Sequence, residues 1–314
     1  MIKVTASAPG KVILSGEYAV LDGAPAISMA VNRRAVVTLA SAGDDNAAVR
    51  SLGLAGQLDS GLFDCVVRAS NFSRSNDYSF VLDTSAFVDA ESGTKLGIGS
   101  SAAVTVALVK AIVSLVGDNS DVDEIAAIAH RDFQQGVGSG VDIATSVAGG
   151  FLEFRLQETS ITKLAWPTGL KFALLWSGVA ASTRSRVDRL EASDTRPSRA
   201  RLSEEASAIA HSWASGDADV IIAACRRYND ALMAFSVDHK LGIFEAGHDA
   251  LAQDALANGL AYKPCGAGGG DVGIALATDR EQLSAFVARA KASGFQQLDI
   301  EIDDHGVQVR RESD

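Results

Sequence analysis

Short alternating runs of apolar and polar residues open the chain, and a long alanine-rich apolar run fills its middle. Alternation predicts strands over 2–7 and 11–20, with Ala8-Pro9-Gly10 as the turn between them, and another strand over 36–39. Residues 41–95 are polar and weakly patterned, with short strand candidates at 62–67 and 78–82. From Ser101 to about Val116 the pattern is that of a buried helix preceded by a glycine loop. A second helix is predicted over 121–135 with Ile125, Ile128 and Ala129 on one face, and a short third over 141–148. Strands follow at 151–155 and 172–176.

The second half begins near residue 156. Helices are expected at 186–193, 200–214, 218–235 and 242–257, the last stopped by Gly259. Then come a strand (272–277), a helix (279–293) and two strands expected to pair with each other (296–302 and 307–310). The helix carries a capping box with Thr278 as N-cap and Glu281 three residues on, and it ends at Gly294. A mixed sheet with helices on one face, in both halves, accommodates this order.

Composition narrows the function. The chain has 314 residues, 28 basic and 39 acidic, for a formal net charge of −11. That balance argues against a nucleic-acid or anionic-membrane surface, while a few local cations still suffice for an anionic small molecule. Cys65, Cys225 and Cys265 are far apart, which predicts a reducing compartment, most simply the cytoplasm. The apolar run after Ser101 is interrupted by Lys110, too short for a membrane span, and no signal peptide is expected. The five histidines show no metal-binding spacing.

Glycine clusters at 97–99, 136–140, 149–150 and 266–270, which marks close approach of backbone to something. In Lys95-Leu96-Gly97-Ile98-Gly99-Ser100-Ser101-Ala102-Ala103 the glycines let several N–H groups point one way at the start of a helix, where an anion is favoured. The segment matches G-x-G-x-x-A, but the polar stretch 89–95 is not the strand that a dinucleotide fingerprint requires. A glycine-rich helix cap without ligand is the plain alternative. Gly138-Ser139-Gly140-Val141-Asp142 places an acid after a bend, and taken alone Asp142 reads as an N-cap. Gly266-Ala267-Gly268-Gly269-Gly270 is entropically costly, which favours a loop that must pass close to a bound group, with a flexible surface turn as the plain alternative. Lys11, Arg184 and Arg186, judged singly, are equally well solvated charges.

The order of these motifs resembles the GHMP small-molecule kinases. Their three signatures look like Ala8-Pro9-Gly10-Lys11 running into Gly16-Glu17-Tyr18-Ala19-Val20, then 97–102, then 266–270. The resemblance implies an α+β fold of two lobes, mixed sheets with helices and an ATP cleft between the lobes, divided as 1–155 and 156–314. It implies ATP and Mg2+ as cofactors, a small-molecule phosphate acceptor as partner, no nucleic acid or membrane, and a monomer or homodimer. Lys11 and Asp142 would be catalytic. Lys95, Gly97, Ile98, Gly99, Ser100, Ser101 and Ala102 would hold ATP, with Ser101 reaching the metal. Glu17, Tyr18, Ser139, Gly140, Ser182, Thr183, Arg184, Gly266, Ala267, Gly268 and Gly269 would face the substrate.

Within the family, Tyr18, Asp271, the segment 137–142 and Ala181-Ser182-Thr183 look like the branch that phosphorylates 5-phosphomevalonate to the diphosphate. Mevalonate or another alcohol is the alternative acceptor, and a non-catalytic binding protein of the same fold is a further one. Two positions depart from the pattern. Gln134-Gln135-Gly136-Val137 lacks the lysine that this branch often has, and Arg131 stands where mevalonate kinases carry a metal-binding glutamate. Arg131, Arg184 and Arg186 are the candidates for replacement charge.

Overall fold

Strand β1 (Ile2–Ser15) runs unbroken through Ala8-Pro9-Gly10, where a turn is predicted. Its antiparallel partner β11 (Gln308–Ser313) pairs only as far as Ser7, so Pro9, which has no N–H, lies beyond that ladder. The structure is a computed structural model and describes residues 2–41, 49–53, 59–72, 78–117, 120–136, 138–181, 186, 190 and 196–313. Packing groups the chain into two units, Met1–Lys11 with Met29–Gly150 and Glu301–Asp314, and Val12–Ser28 with Phe151–Ile300.

In the first unit the sheet order is β11-β1-β2-β4-β3, with β2 (Ala26–Ser41), β4 (Tyr78–Asp83) and β3 (Val49–Leu52). The β1–β11 and β2–β4 pairs are antiparallel and the β3–β4 pair is parallel. Arg34 ties the C-terminal segment to this sheet through Asp303 (2.5 Å) and the carbonyls of Ser7 and Gly306 (3.0 and 2.8 Å). The predicted strand at 62–67 is instead part of helix α1 (Asp59–Ala69), because Leu62, Phe63, Cys65 and Val66 are buried at helical spacing. Helix α2 (Ser100–Val116) is apolar on every side and buried along most of its length. It packs on α1, α3 (Val122–Phe133) and α4 (Val141–Ala148). The buried face of α3 is Ala126, Ala129 and His130, whereas Ile128, expected on that face, is 54% exposed.

In the second unit β7 (Lys171–Trp176) lies between β9 (Val272–Ala277) and β10 (Gln296–Leu298), with β8 (Ala261–Pro264) beyond β9, all antiparallel. A hairpin of β5 (Phe151–Arg155) and β6 (Ser160–Leu164) belongs to the same unit. Helices α5 (Pro197–Ser215) and α6 (Ala218–Asp238) pack on each other. Helices α7 (His248–Ala257) and α8 (Arg280–Ala292) close a core of Leu175, Leu251, Leu260, Ala275, Phe286 and Phe295.

Three expectations change here. The helix predicted from 242 starts at His248, because Gly242, Ala246 and Gly247 take left-handed backbone. The N-cap of α8 is Asp279, which accepts from the N–H groups of Glu281 and Gln282, and not Thr278. The last two strands do not pair with each other, since β10 joins β7 and β11 joins β1. The helix predicted at 186–193 lies almost wholly outside the described residues. No described helix is long and apolar enough to cross a membrane.

Candidate active site

In the first unit, β1 brings Lys11 onto the glycine loop that precedes α2. The Lys11 N–H donates to the Ile98 carbonyl at 2.8 Å. Gly10 makes that approach possible, since a β-carbon there would lie 2.5 Å from the Ile98 oxygen and 2.7 Å from the Phe87 ring. A bridge between Val88 and Lys95 closes the turn that leads into the loop. Gly97 and Gly99 have φ of 77° and 85°, and Gly99 occupies the N-cap of α2. Ser100, Ser101 and Ala102 follow as its first turn, whose N–H groups have no partner within the helix, and Ala102 is fully buried.

Lys11 Nζ stands 3.0 Å from Asp142 Oδ1, with side chains 11% and 31% exposed. The cap position of α4 is held by Gly140 (φ 83°), so Asp142 sits inside the first turn with its carboxylate turned to Lys11. The reading of Asp142 as an N-cap therefore fails. Ser139 Oγ accepts from the Val141 N–H at 3.4 Å, which steadies that bend.

His130, which the sequence reading passed over, belongs to the same cluster. Its Nε2 lies 3.2 Å from Ser101 Oγ, and it is 4% exposed. Burial holds the imidazole below its ordinary pKa; Asp142 opposes that effect and Lys11 adds to it. The signal that would have found this histidine is the spacing Ala126, Ala129, His130, Phe133 on one helical face. Arg131, next to it, is exposed.

In the second unit the turn after β1 is built on buried charge. Glu17 is paired with Lys263, which is fully buried, and its other oxygen accepts from Tyr228 Oη at 2.8 Å. Tyr228 Oη in turn accepts from the Gly16 N–H at 2.9 Å. Both carboxylate oxygens of Glu17 are thus engaged by the protein, and its side chain anchors this turn. Burial, the largest influence on Lys263, disfavours its charge, but Glu17 and the neighbouring Cys265 and Cys225 outweigh it and raise its pKa. Tyr18, at φ 63°, donates to the Ala267 carbonyl at 2.7 Å. Burial raises its pKa, so it remains a donor.

The 266–270 run is fixed from several sides. The Gly269 N–H donates to Ile243 O at 2.7 Å, and a β-carbon at Gly269 would strike the Arg186 guanidinium. Arg186 Nε donates to Leu241 O at 2.9 Å. His248 Nε2 donates to the Gly270 carbonyl (3.0 Å) and its Nδ1 accepts from Tyr262 Oη (2.7 Å). Burial, foremost, pushes its pKa down to about 4. Asp271 Oδ1 accepts from the Ala181 N–H at 2.9 Å, joining this loop to the start of the 181–184 segment. Ser182, Thr183 and Arg184 lie outside the described residues. Lys263, Tyr228 and His248 had no local sequence signal, because their partners are 14 to 246 positions away.

Comparison with known proteins bears on all of this. Residues 67–150 match the model of the GHMP kinases N terminal domain. A phosphomevalonate kinase of Streptomyces sp. (strain CL190) is 31% identical, over 86% of this chain and 88% of that protein. A mevalonate kinase of Methanothermobacter thermautotrophicus is 37% identical, over 48% of this chain and 50% of its own. Among solved structures, Streptococcus pneumoniae phosphomevalonate kinase in complex with phosphomevalonate and AMPPNP shares the fold, with a TM-score of 0.79 at 20% identity, over 95% and 99% of the two chains. A Lin0012 protein from Listeria innocua does so at 0.83 and 23%, over 98% and 99%. The chain belongs to the GHMP kinases, a family of small-molecule phosphotransferases.

Proposed function

We propose that this chain transfers the γ-phosphoryl group of ATP to 5-phosphomevalonate, in the mevalonate route to isoprenoids. The observation that carries the reading is the Lys11–Asp142 pair, 3.0 Å apart, in the unit whose 97–102 loop caps α2. Its substrate rests on the Streptomyces relative, whose likeness spans most of both chains, whereas the mevalonate kinase likeness spans half.

Catalysis in such a transfer is mainly positioning and charge neutralisation. The free amides at the start of α2 suit a polyphosphate. Lys11 offsets charge on the transferring group, and Asp142 orients both Lys11 and the acceptor. Ser139 and Gly140, at the bend before Asp142 in the same unit, would face the acceptor.

Among the described residues no cluster of three or more metal-ligating side chains exists. Magnesium nonetheless fits the donors present, because it keeps several waters and phosphate oxygens and needs only one or two protein oxygens. Ser101 Oγ is the residue that would hold it, and the ion would neutralise charge between the β- and γ-phosphates.

The test is ATP consumption with mevalonate and 5-phosphomevalonate side by side. Turnover with the phosphorylated acceptor and little with mevalonate is expected. The reverse preference would make the chain an alcohol kinase. Ligand-induced stabilisation without turnover of either would make it a binding protein.

A further inference from the structure

We propose that His130 is a positioning residue whose Nε2 accepts a hydrogen bond from the Ser101 hydroxyl, so that the serine oxygen turns its lone pairs toward a magnesium–nucleotide. The inference rests on the reading of the 97–102 loop as the nucleotide site.

A serine hydroxyl has one proton and two lone pairs. An oxygen that serves a cation must send its proton elsewhere. Ser101 is held in place by α2, and its own carbonyl already accepts from Thr105 Oγ1 at 2.7 Å. The partner within reach of its hydroxyl is His130 Nε2, at 3.2 Å. His130 is fixed by α3, whose inward face of Ala126 and Ala129 is fully buried where α3 packs on α2. The imidazole is therefore aimed and not merely adjacent. A carboxylate at this place would add negative charge beside Asp142; an imidazole orients the hydroxyl without adding any. His130 would then bear its proton on Nδ1 and leave Nε2 as acceptor.

The experiment uses the full chain and four variants, His130→Leu, His130→Gln, Ser101→Ala and the Ser101→Ala/His130→Leu double. Nitrogen-15 shifts of the free protein read the His130 tautomer. Calorimetry reads binding of a non-hydrolysable ATP analogue with Mg2+ and with EDTA. We expect Nε2 to be unprotonated. His130→Leu should weaken magnesium–nucleotide binding about fivefold, the value of one hydrogen bond, with metal-free binding altered less than about twofold. Glutamine, which offers an acceptor oxygen, should restore most of it, and His130→Leu should add almost nothing in the Ser101→Ala background.

A protonated Nε2, or losses that multiply in the double variant, would overturn the proposal. So would equal losses with and without metal. If Ser101→Ala alone leaves magnesium–nucleotide binding intact, the site assignment itself fails, which is a separate result from a failure of the His130 coupling. Melting temperatures identify a variant that has not folded, and the glutamine variant together with the tautomer measurement then decides.

Discussion

A β-carbon on Gly99 would come within 2.9 Å of Cγ and 3.0 Å of Cε of Lys11, so the lysine stem lies along the bare face of the loop glycine. Gly99 also has φ of 85°, which an L side chain adopts only under strain of about 1–2 kcal/mol. Gly99→Ala should lower the melting temperature and, by displacing Lys11, reduce kcat. The two readouts separate the causes, since strain alone moves stability and leaves turnover per folded molecule unchanged.

Among the described residues, the carboxylate of Asp142 pairs with the Lys11 ammonium at 3.0 Å. An alcohol acceptor must lose its proton, and a general base is then worth about 10²–10⁴-fold. A phosphate monoester has a second pKa of about 6 and is mostly dianionic at neutral pH. Asp142→Asn should therefore cost kcat less than about 100-fold with 5-phosphomevalonate. Steady-state kinetics at pH 7.5 check this, and abolished turnover with acceptor affinity intact would speak against the phosphate acceptor.

The Glu17–Lys263 pair is buried, and removing either partner strands a charge. Glu17→Gln or Lys263→Met should each destabilise the fold by about 3–5 kcal/mol, while Glu17→Leu combined with Lys263→Met should recover much of that. Tyr228→Phe leaves both the Gly16 N–H and a Glu17 oxygen without their partner, for about 1–3 kcal/mol. Urea denaturation measures all four.

His248 gives the stability a pH dependence whose sign follows from its depressed pKa. The unfolded chain protonates this ring near 6.5 and the folded chain near 4, so between those values the unfolded state holds more protons. Stability contributed by the neutral ring is complete above about pH 6.5 and is lost as pH falls toward 4, amounting to about 3 kcal/mol at the low end. Protonation at Nδ1 would also break its bond from Tyr262. Denaturation midpoints at pH 7.5 and 5 should differ more for the native protein than for His248→Leu. Equal differences would show that the acid sensitivity lies elsewhere.

The sequence by itself determined the local elements and the chemistry that local geometry requires. The glycines at 97, 99 and 140 need positive φ for reasons visible within a few residues, and the apolar run after Ser101 can only be a buried helix. Three ordered glycine motifs carried the family. The tertiary structure decided everything that depends on distant chain segments meeting. It made one strand of 2–15, because residues 308–313 pair with the first half as far as Ser7 and, beyond it, the Lys11 N–H bonds to Ile98 with the bare Gly10 packed against that carbonyl. It turned 62–67 into a helix, and it placed His130 on Ser101 across 29 residues. It engaged Glu17 with Lys263 across 246. Hydrophobic period is a property of neighbours along the chain, whereas desolvation of a charge, and hence which residues must pair, depends on what the whole fold excludes from water.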